Sequence, residues 1–464
     1  MEKIKILIFS YEAKKTKDLL SFVEEIIKYD IKKQFDFRFI FPHDKLYHNS
    51  YSSVSVIKSS NIPYSLIENN NLKQTLKYKI ISIADKLERK YLKFFMNMKY
   101  YTIGQLYYKM LTSMKYNLFY KSAQNSFNQY NPDIFITIND RNSCLYEAAT
   151  FKLAKENNVK IFLPFVLFAN PKVNLKNLST NTKYQLLSNS NLYQKKIYKE
   201  FRKQSIDNMY YYHAYIYKFI SQLDILPKNP WLMGTNDVAL VAMPNKLIYN
   251  KFYKKEKIHY KFLGDISYIH LYNNFQQKEK IKHSIIHKYN LEYNKIIIIS
   301  AQDYMEHNYV TTEEHWALNE TVIKEALKLK NYNVILSVPP MANIELYRFL
   351  ENKYPITICE ERLMYILPIA DIFIAPVSNT IMWAMLCQIP TILHDEINFN
   401  DDWYEPFDSV ITTKTKVQLR ETLVYLSHNC INFNNDWKIL GRDLVFHNNI
   451  IENYKNTFLD LKGK

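Results

Sequence analysis

Three adjacent polar residues, Ser378, Asn379 and Thr380, are the side chains of this sequence best suited to holding an anion. They follow 372–375, an apolar run of the kind that forms a buried parallel strand. Such side chains are typical helix N-caps, and free N–H groups at a helix start attract negative charge. The pattern predicts a strand, a capped helix and a second strand at 391–393, with phosphate as the anion. An ordinary βαβ repeat with a good cap is the alternative.

Glycine is too sparse for the common phosphate-binding loops. The chain has five glycines, and no two of them have the spacing of a dinucleotide-binding fingerprint or of a P-loop. Dinucleotide-dependent dehydrogenases and P-loop phosphotransferases are therefore not expected. Any phosphate must be held by helix ends and side chains.

Length and composition predict a cytoplasmic protein with more than one hydrophobic core. A chain of 464 residues with 47% hydrophobic residues predicts two or three domains. The four cysteines have neither metal-site spacing nor the density of a disulfide framework. The first apolar run ends before Glu12, which predicts a β-strand rather than a signal peptide. No stretch approaches the roughly 18 apolar residues of a membrane span.

The net charge of +16 is unevenly distributed. Residues 71–121 hold eleven Lys or Arg against two Asp or Glu, and 191–261 hold thirteen against five, whereas 262–464 hold nineteen against twenty-five. The basic segments are also rich in aromatic residues, which suits an anionic membrane face, an acidic glycan, a nucleic acid or a plain solvated helix face. Because no nucleic-acid-binding motif accompanies the charge, we favour membrane or glycan contact and expect no nucleic-acid partner.

Apolar runs and helical patterns alternate along both halves of the chain. The fold class expected is α/β, with two Rossmann-like, doubly wound domains facing a cleft and a basic helical insertion at about 71–130. The predicted domains are 1–265, 266–440 and a C-terminal helix in 441–464 that crosses back to the first domain. The strands predicted for the second domain are 295–300, 333–337, 356–359, 372–375 and 391–393.

The order of these segments resembles that of GT-B glycosyltransferases and their relatives, the UDP-GlcNAc 2-epimerases. The resemblance covers about 130–165 and 235–395. The segments that carry it are PDIFITIND at 132–140, KFLGD at 261–265, SAQD at 300–303 and the strand-helix-strand at 370–391. Two departures are present. The sequence SVPP at 337–340 stands where related sialyl- and Kdo-type transferases often have His-Pro, and the apolar 163–168 stands where the epimerases have an acidic segment.

The resemblance implies a nucleotide-sugar donor, linked to UDP or CMP, bound without a metal or other cofactor. Ser378, Asn379 and Thr380 would hold its phosphates. Gln302 and His307 are secondary candidates, since the loop 302–309, after the first strand of the second domain, would face the same cleft. Glu361 is a candidate contact for the nucleotide's ribose or base, with structural ion pairing as the alternative. His307 and His315 do not have zinc-site spacing, and no metal is assigned.

Glycosyl transfer also needs a base for the acceptor hydroxyl. The resemblance implies that this base comes from the N-terminal half, and Asp140, at the end of the strand near 133–138, is the leading candidate. A helix cap or a partner for Arg141 is the alternative role for Asp140. Glu12, after the first strand, is the rival base, or else a surface residue.

The sequence therefore predicts a glycosyltransferase of surface-polysaccharide assembly, such as capsule or lipopolysaccharide. Its acceptor would be a glycan or a lipid-linked molecule, and its location cytoplasmic, with peripheral contact at the inner membrane face. Two alternatives stay open. The first is a nucleotide-sugar 2-epimerase, and the second is a non-catalytic protein that binds carbohydrate or membrane.

Overall fold

The computed structural model describes most of the chain, with gaps concentrated in the N-terminal half. The described residues are 2–11, 13–42, 55–58, 60–67, 101–142, 144–165, 195, 199, 210–212, 214–302, 304–305, 309–339, 342–400 and 402–463. They form two compact units. The first unit consists of 1–244, 248–266 and 451–464, and the second of 245–247 and 267–450.

The first unit is built on a parallel sheet of seven strands among the described residues. The strands are β1 Ile4–Phe9, β2 Phe35–Pro42, β3 Tyr64–Ile67, β4 Ile134–Ile136, β5 Lys160–Leu163, β6 Leu240–Met243 and β7 Tyr260–Phe262. Their spatial order is β3-β2-β1-β4-β5-β6-β7, so the chain moves first to one side of β1 and then, from β4, to the other. Loops that follow β1 and β4 therefore diverge at the carboxyl edge, which is where doubly wound sheets bind ligands.

The second unit has a parallel sheet of six strands in the described part of the chain. The strands are β8 Lys295–Ser300, β9 Tyr332–Ser337, β10 Thr357–Cys359, β11 Ile372–Ala375, β12 Thr391–His394 and β13 Val410–Thr413. Their order is β10-β9-β8-β11-β12-β13, the same doubly wound pattern as in the first unit. Ile372 pairs with Ile297 and Ile374 with Ile299, which fixes the relative heights of the central strands β11 and β8.

Helices cover these sheets. The α-helices described in the chain up to 289 are α1 Ala13–Tyr29, α2 Tyr101–Tyr130, α3 Leu145–Glu156, α4 Ala214–Gln222, α5 Lys246–Ile248, α6 Ser267–Gln276 and α7 Lys278–Tyr289, and a π-helical turn, Tyr249–Tyr253, follows α5. Those that follow are α8 Thr312–Ala326, α9 Phe349–Lys353, α10 Leu363–Ile366, α11 Thr380–Leu386, α12 Lys416–His428, α13 Asn434–Leu440, α14 Arg442–Val445 and α15 Ile450–Gly463.

The central strands β8 and β11 are apolar over most of their length, as expected where helices cover both faces of a parallel sheet. In β8, Ile296, Ile297 and Ile298 are fully buried although successive side chains point to opposite faces. In β11 all four residues are buried. The α/β fold class with two doubly wound domains, predicted from the alternating pattern, is confirmed.

Several predicted elements differ from the structure. Strands β3 and β13 were not predicted. The segment 343–352, whose sequence pattern predicts a single helix, forms a 3-10 turn, Ile344–Tyr347, and the short α9. The Asn343 side chain accepts a hydrogen bond from the Glu345 N–H (3.1 Å), which favours the tighter turn at this start. Of the predicted basic insertion, 101–130 is helix α2, and 71–100 lie outside the described residues.

No helix in the described ranges is both long and apolar enough to cross a lipid bilayer.

Candidate functional site

The centre of the second sheet brings together the polar residues that follow β8 and β11. These strands are neighbours, yet the chain leaves β8 toward β9 and leaves β11 toward β12, on the opposite side. The loops after the two strands therefore separate at the carboxyl edge and leave the crevice typical of doubly wound sheets. This edge, formed by the residues after β8, β11 and β12, is called the central edge below.

The loop after β11 carries the residues predicted to hold phosphate. The Ser378 Oγ lies 3.0 Å from the Thr380 Oγ1 and accepts a hydrogen bond from the Thr380 N–H (3.3 Å). The Tyr404 hydroxyl donates to the Ser378 carbonyl (2.8 Å), which links the loop to the segment after β12. Two hydroxyl groups are thus held side by side in half-buried positions at the end of a buried strand.

The expected capping is only partly present. Asn379 is the N-cap residue, directly before α11, but its backbone is helical and its side chain makes no capping hydrogen bond. The contact that orders the turn is instead the one between Ser378 and Thr380. Because α11 has only seven residues, the hydrogen-bonding capacity of this loop comes mainly from its side-chain hydroxyl groups rather than from the helix dipole.

Gln302, after β8, has a buried side chain with unused hydrogen-bonding capacity. The residue is 3% exposed, and its N–H donates to the Asn319 Oδ1 (3.1 Å). Within the described part of the chain, its carboxamide oxygen has no hydrogen-bond partner. A buried acceptor without a partner is costly, and such groups usually face a ligand or a water molecule.

A second polar group at the central edge was not predicted from the sequence. His394, the last residue of β12, is fully buried, with its Nδ1 2.9 Å from the Thr413 Oγ1 and its Nε2 3.3 Å from a Glu396 carboxylate oxygen. Burial lowers the pKa of His394, while the Glu396 charge opposes that shift. The available signal was a polar run, His394 to Glu396, directly after an apolar strand, as at Ser378.

Aromatic side chains connect two loops of the central edge. The Phe399 ring, after β12, lies 5.7 Å from the ring of Tyr304 and 5.1 Å from that of Tyr309, both after β8. The buried Asp395 carboxylate accepts hydrogen bonds from the N–H groups of Phe399 (2.7 Å) and Asn400 (2.8 Å), which orders the loop after β12. His307, the predicted phosphate ligand of this region, lies outside the described residues.

Glu361, predicted to contact a nucleotide, is occupied by partners from its own unit. Its carboxylate accepts hydrogen bonds from the Lys288 Nζ (2.5 Å), the Tyr289 hydroxyl (2.5 Å) and the Cys359 Sγ (2.8 Å). Partial burial raises the pKa of Glu361, but hydrogen bonds from these three groups outweigh it and lower the pKa to about 2. These contacts correspond to structural ion pairing, the alternative to nucleotide contact that the sequence left open for Glu361.

Replacing Glu361 by glutamine is expected to lower the free energy of unfolding by about 2 kcal/mol at pH 7. Because the folded-state pKa lies below the usual value of 4.5, the stabilisation is present above that pH and is lost as the pH falls toward 2. Urea denaturation at pH 7, 4 and 3 should show the difference from the parent protein shrinking. Glu360→Gln is the control, since the Glu360 side chain is 61% exposed; a pH-independent Glu361→Gln difference would contradict the assignment.

Asp140, predicted as the base, lies after β4 in the first unit and is fully buried. One carboxylate oxygen accepts a hydrogen bond from the Gly234 N–H (2.9 Å) and the other from the Asn236 N–H (2.9 Å). Burial raises the pKa of the Asp140 carboxyl, and these two amide donors oppose the shift. A base must reach the hydroxyl that it deprotonates, and this carboxylate has neither exposure nor a free oxygen. Its geometry is that of a group that positions the segment near 234–236.

The neighbours of Asp140 bind the same segment. The Arg141 guanidinium donates to the Trp231 carbonyl (3.2 Å) and to the Tyr211 hydroxyl (3.2 Å), and the Asn142 amide donates to the Ile225 carbonyl (2.8 Å). Gly234 has a φ of +83°, and a Cβ there would lie 2.5 Å from a Val241 methyl group. The loop after β4 therefore holds the 225–236 segment on the first unit, which the sequence alone did not predict. The rival base, Glu12, lies outside the described residues.

No protein-family model and no curated protein sequence matches the chain. Solved structures do match across its whole length. The UDP-GlcNAc 2-epimerase of Methanocaldococcus jannaschii is similar with a TM-score of 0.53 at 11% identity, covering 99% of this chain and 99% of that one. The UDP-GlcNAc 2-epimerase of Neisseria meningitidis bound to UDP-GlcNAc is similar with a TM-score of 0.51 at 10% identity, covering 99% and 100%.

A glycosyltransferase is similar to the same degree. The glycotransferase of kitacinnamycin matches with a TM-score of 0.50 at 10% identity, covering 100% of this chain and 96% of that one. The chain therefore has the fold shared by GT-B glycosyltransferases and UDP-GlcNAc 2-epimerases. The resemblance inferred from the sequence is confirmed at the level of the fold.

Proposed function

We propose that this protein is a glycosyltransferase that takes a sugar from a nucleotide donor bound at the central edge of the second unit. The observation that carries the proposal is the pairing of two features on adjacent strands. The loop after β11 presents the Ser378 and Thr380 hydroxyls side by side, and the loop after β8 presents the buried carboxamide oxygen of Gln302, which has no hydrogen-bond partner among the described residues.

The two features suit different parts of one donor. Hydroxyl and backbone N–H groups donate hydrogen bonds to phosphate oxygens, so Ser378, Asn379 and Thr380 are assigned to the phosphates. The free oxygen of Gln302 is an acceptor, and it suits a hydroxyl of the ribose or of the sugar rather than a phosphate. The solved structure of the Neisseria meningitidis enzyme with UDP-GlcNAc supports a nucleotide-sugar as the donor class.

A transfer reaction requires that the leaving phosphate be stabilised and that an acceptor hydroxyl lose a proton. Hydrogen-bond donors fixed before the reaction stabilise the developing phosphate charge at little cost, and the contact between Ser378 and Thr380 fixes these two hydroxyls. Since the Asp140 carboxylate is occupied, Glu12 is the proposed base. Glu12 follows β1 in the sequence, and the strand order of the first sheet reverses between β1 and β4, where doubly wound sheets bind ligands.

Transfer is favoured over epimerisation by the residues at the end of β5 and directly after it. Leu163, Pro164 and Phe165 are buried and apolar, and none of them can exchange a proton with a sugar. The acceptor proposed is a surface glycan or a lipid-linked precursor, as in capsule or lipopolysaccharide assembly. The excess of Lys and Arg in 191–261 supports an anionic acceptor or contact with the inner, anionic membrane face.

Nucleotide release from UDP-linked and CMP-linked sugars should depend on an added acceptor. The full chain would be incubated with each donor, with and without a mixture of lipid-linked and free oligosaccharides, and the released nucleotide would be measured. We expect release to rise at least tenfold with acceptor and one donor class. Conversion of a free UDP-sugar to its 2-epimer without acceptor would instead establish the epimerase. If no donor binds, neither reaction can stand.

A further inference from the structure

A cavity of about 660 Å³ lies in the first unit, at the edge of the sheet where the strands begin. It is bounded by the first residues of β5, β6 and β7 and by α15. All the strands of this sheet are parallel, so this amino edge is at the opposite end from the loops that follow the strands. Ligand cavities have volumes of about 300 to 1,000 Å³, so the size suits a small molecule.

The cavity has an apolar floor and a basic rim. Buried side chains of Ile161, Val238, Leu240 and Leu461 line its interior. The charged lining comprises Lys155, Lys160, Lys261, His259, Asp237 and Asp460. With three lysines against two carboxylates, the rim is net positive even with a neutral histidine.

Two of the lysines are paired, but with carboxylates that face solvent. The Lys155 Nζ lies 3.3 Å from Asp237, whose side chain is 79% exposed, and the Lys261 Nζ lies 2.7 Å from Asp460, whose side chain is 56% exposed. Exposed pairs contribute little and exchange readily. An incoming anion can therefore replace either carboxylate at low cost.

Lys160 is the lysine of this rim that pairs with no carboxylate of the described residues. It is the first residue of β5 and half-buried, and it makes no side-chain hydrogen bond or ion pair with the residues that the structure describes. The ammonium group of a half-buried lysine beside an apolar floor is placed to receive a negative group whose remainder is apolar.

We infer that this amino-edge cavity binds an amphiphilic anion: a phosphate or carboxylate head at Lys160, with a short apolar body on the floor formed by Ile161, Leu240 and Leu461. This second site does not depend on the proposed transfer reaction. The head group has the chemistry of a free alkyl phosphate and of an anionic lipid alike.

Titration calorimetry on the full chain with hexyl phosphate, compared with inorganic phosphate, tests the proposal. We expect hexyl phosphate to bind at least tenfold more tightly than inorganic phosphate, because only the former covers the apolar floor. Lys160→Gln keeps the residue polar and removes the charge, and should weaken hexyl phosphate binding at least tenfold. Lys160→Arg should retain most of the affinity. Lys32→Ala is the matched control, because Lys32 is exposed on the same unit and does not line the cavity.

Binding to vesicles of phosphatidylglycerol, with phosphatidylcholine vesicles as reference, distinguishes an anionic lipid from a free amphiphile as the natural ligand. Binding of both hexyl phosphate and phosphatidylglycerol, each reduced by Lys160→Gln alone, would support a lipid head group as the natural ligand. Binding of hexyl phosphate alone would support a free amphiphile. The inference is overturned if hexyl phosphate does not bind, if it binds no better than inorganic phosphate, or if Lys160→Gln and Lys32→Ala have equal effects.

Discussion

Replacing Asp140 by alanine is expected to destabilise the first unit by about 4 kcal/mol, the largest effect that we predict for a single substitution. The change leaves the N–H groups of Gly234 and Asn236 buried without acceptors, at a cost of about 1–3 kcal/mol each, and it removes a buried charge beside Arg141. Urea denaturation would measure the loss. Hydrogen exchange in the 225–243 segment would show that the loss lies in the first unit.

Asp140→Asn separates a positioning role from a catalytic one. The amide keeps the size of the side chain but turns one acceptor into a donor that faces an N–H group, so stability should fall while the folded protein keeps at least a tenth of its activity. Glu12→Gln should do the reverse, lowering kcat by a hundredfold or more at unchanged stability. Asp237→Asn is the control, since its side chain is 79% exposed. A stable Asp140→Asn protein that lacks activity would contradict the positioning role and indicate that Asp140 is the base.

The double substitution Ser378→Ala and Thr380→Ala is expected to weaken nucleotide-sugar binding about a hundredfold. Each hydroxyl that donates to a phosphate contributes about 1.5 kcal/mol, and two such losses amount to about 3 kcal/mol. Both residues are only half-buried and the substitutions leave the apolar face of α11 intact, so unfolding should change by less than about 1 kcal/mol. Calorimetric titration with the preferred donor would measure the affinity.

Thr321→Ala is the matched control for this pair. Its hydroxyl donates to the Ala317 carbonyl on the exposed side of α8, in the same unit and away from the carboxyl edge of the sheet. Donor affinity should be unchanged. If the Ser378/Thr380 double variant and the parent bind the donor with equal affinity, these hydroxyls do not bind its phosphates.

Local sequence patterns predicted the region around β11 well. The apolar runs at 295–300 and 372–375 begin and end as strands β8 and β11 do, and Thr391 begins β12 as predicted. These boundaries follow from neighbouring residues, because an apolar run, a proline and a cap fix a strand and the helix after it. Strand β13 was missed because it ends in two threonines and its two middle residues, Ile411 and Thr412, are not buried, so it lacks the continuous apolar run of a central strand.

The hydrogen-bond partners of individual polar residues could not be predicted from the sequence, for a physical reason. The two donors to Asp140 are 94 and 96 residues away in the chain, and the Lys288 and Tyr289 partners of Glu361 are 73 and 72 residues away. No local sequence pattern indicates hydrogen bonds between residues so far apart in the chain. The sequence shows that a carboxylate follows a strand, but not whether its oxygens are already occupied. Ser378 was easier to interpret because its side-chain contact with Thr380 is two residues away.

Hydrogen exchange with and without nucleotide tests the central claim most directly. The full chain would be saturated with whichever of UDP, CMP or GDP gives the largest calorimetric signal, and amide exchange would be followed by mass spectrometry. We predict slower exchange in peptides that contain 377–382 and in those around Gln302, with little change in the first unit's 225–236 segment. Nucleotide binding that leaves 377–382 unprotected, or no binding of any nucleotide, would contradict a donor site at the central edge.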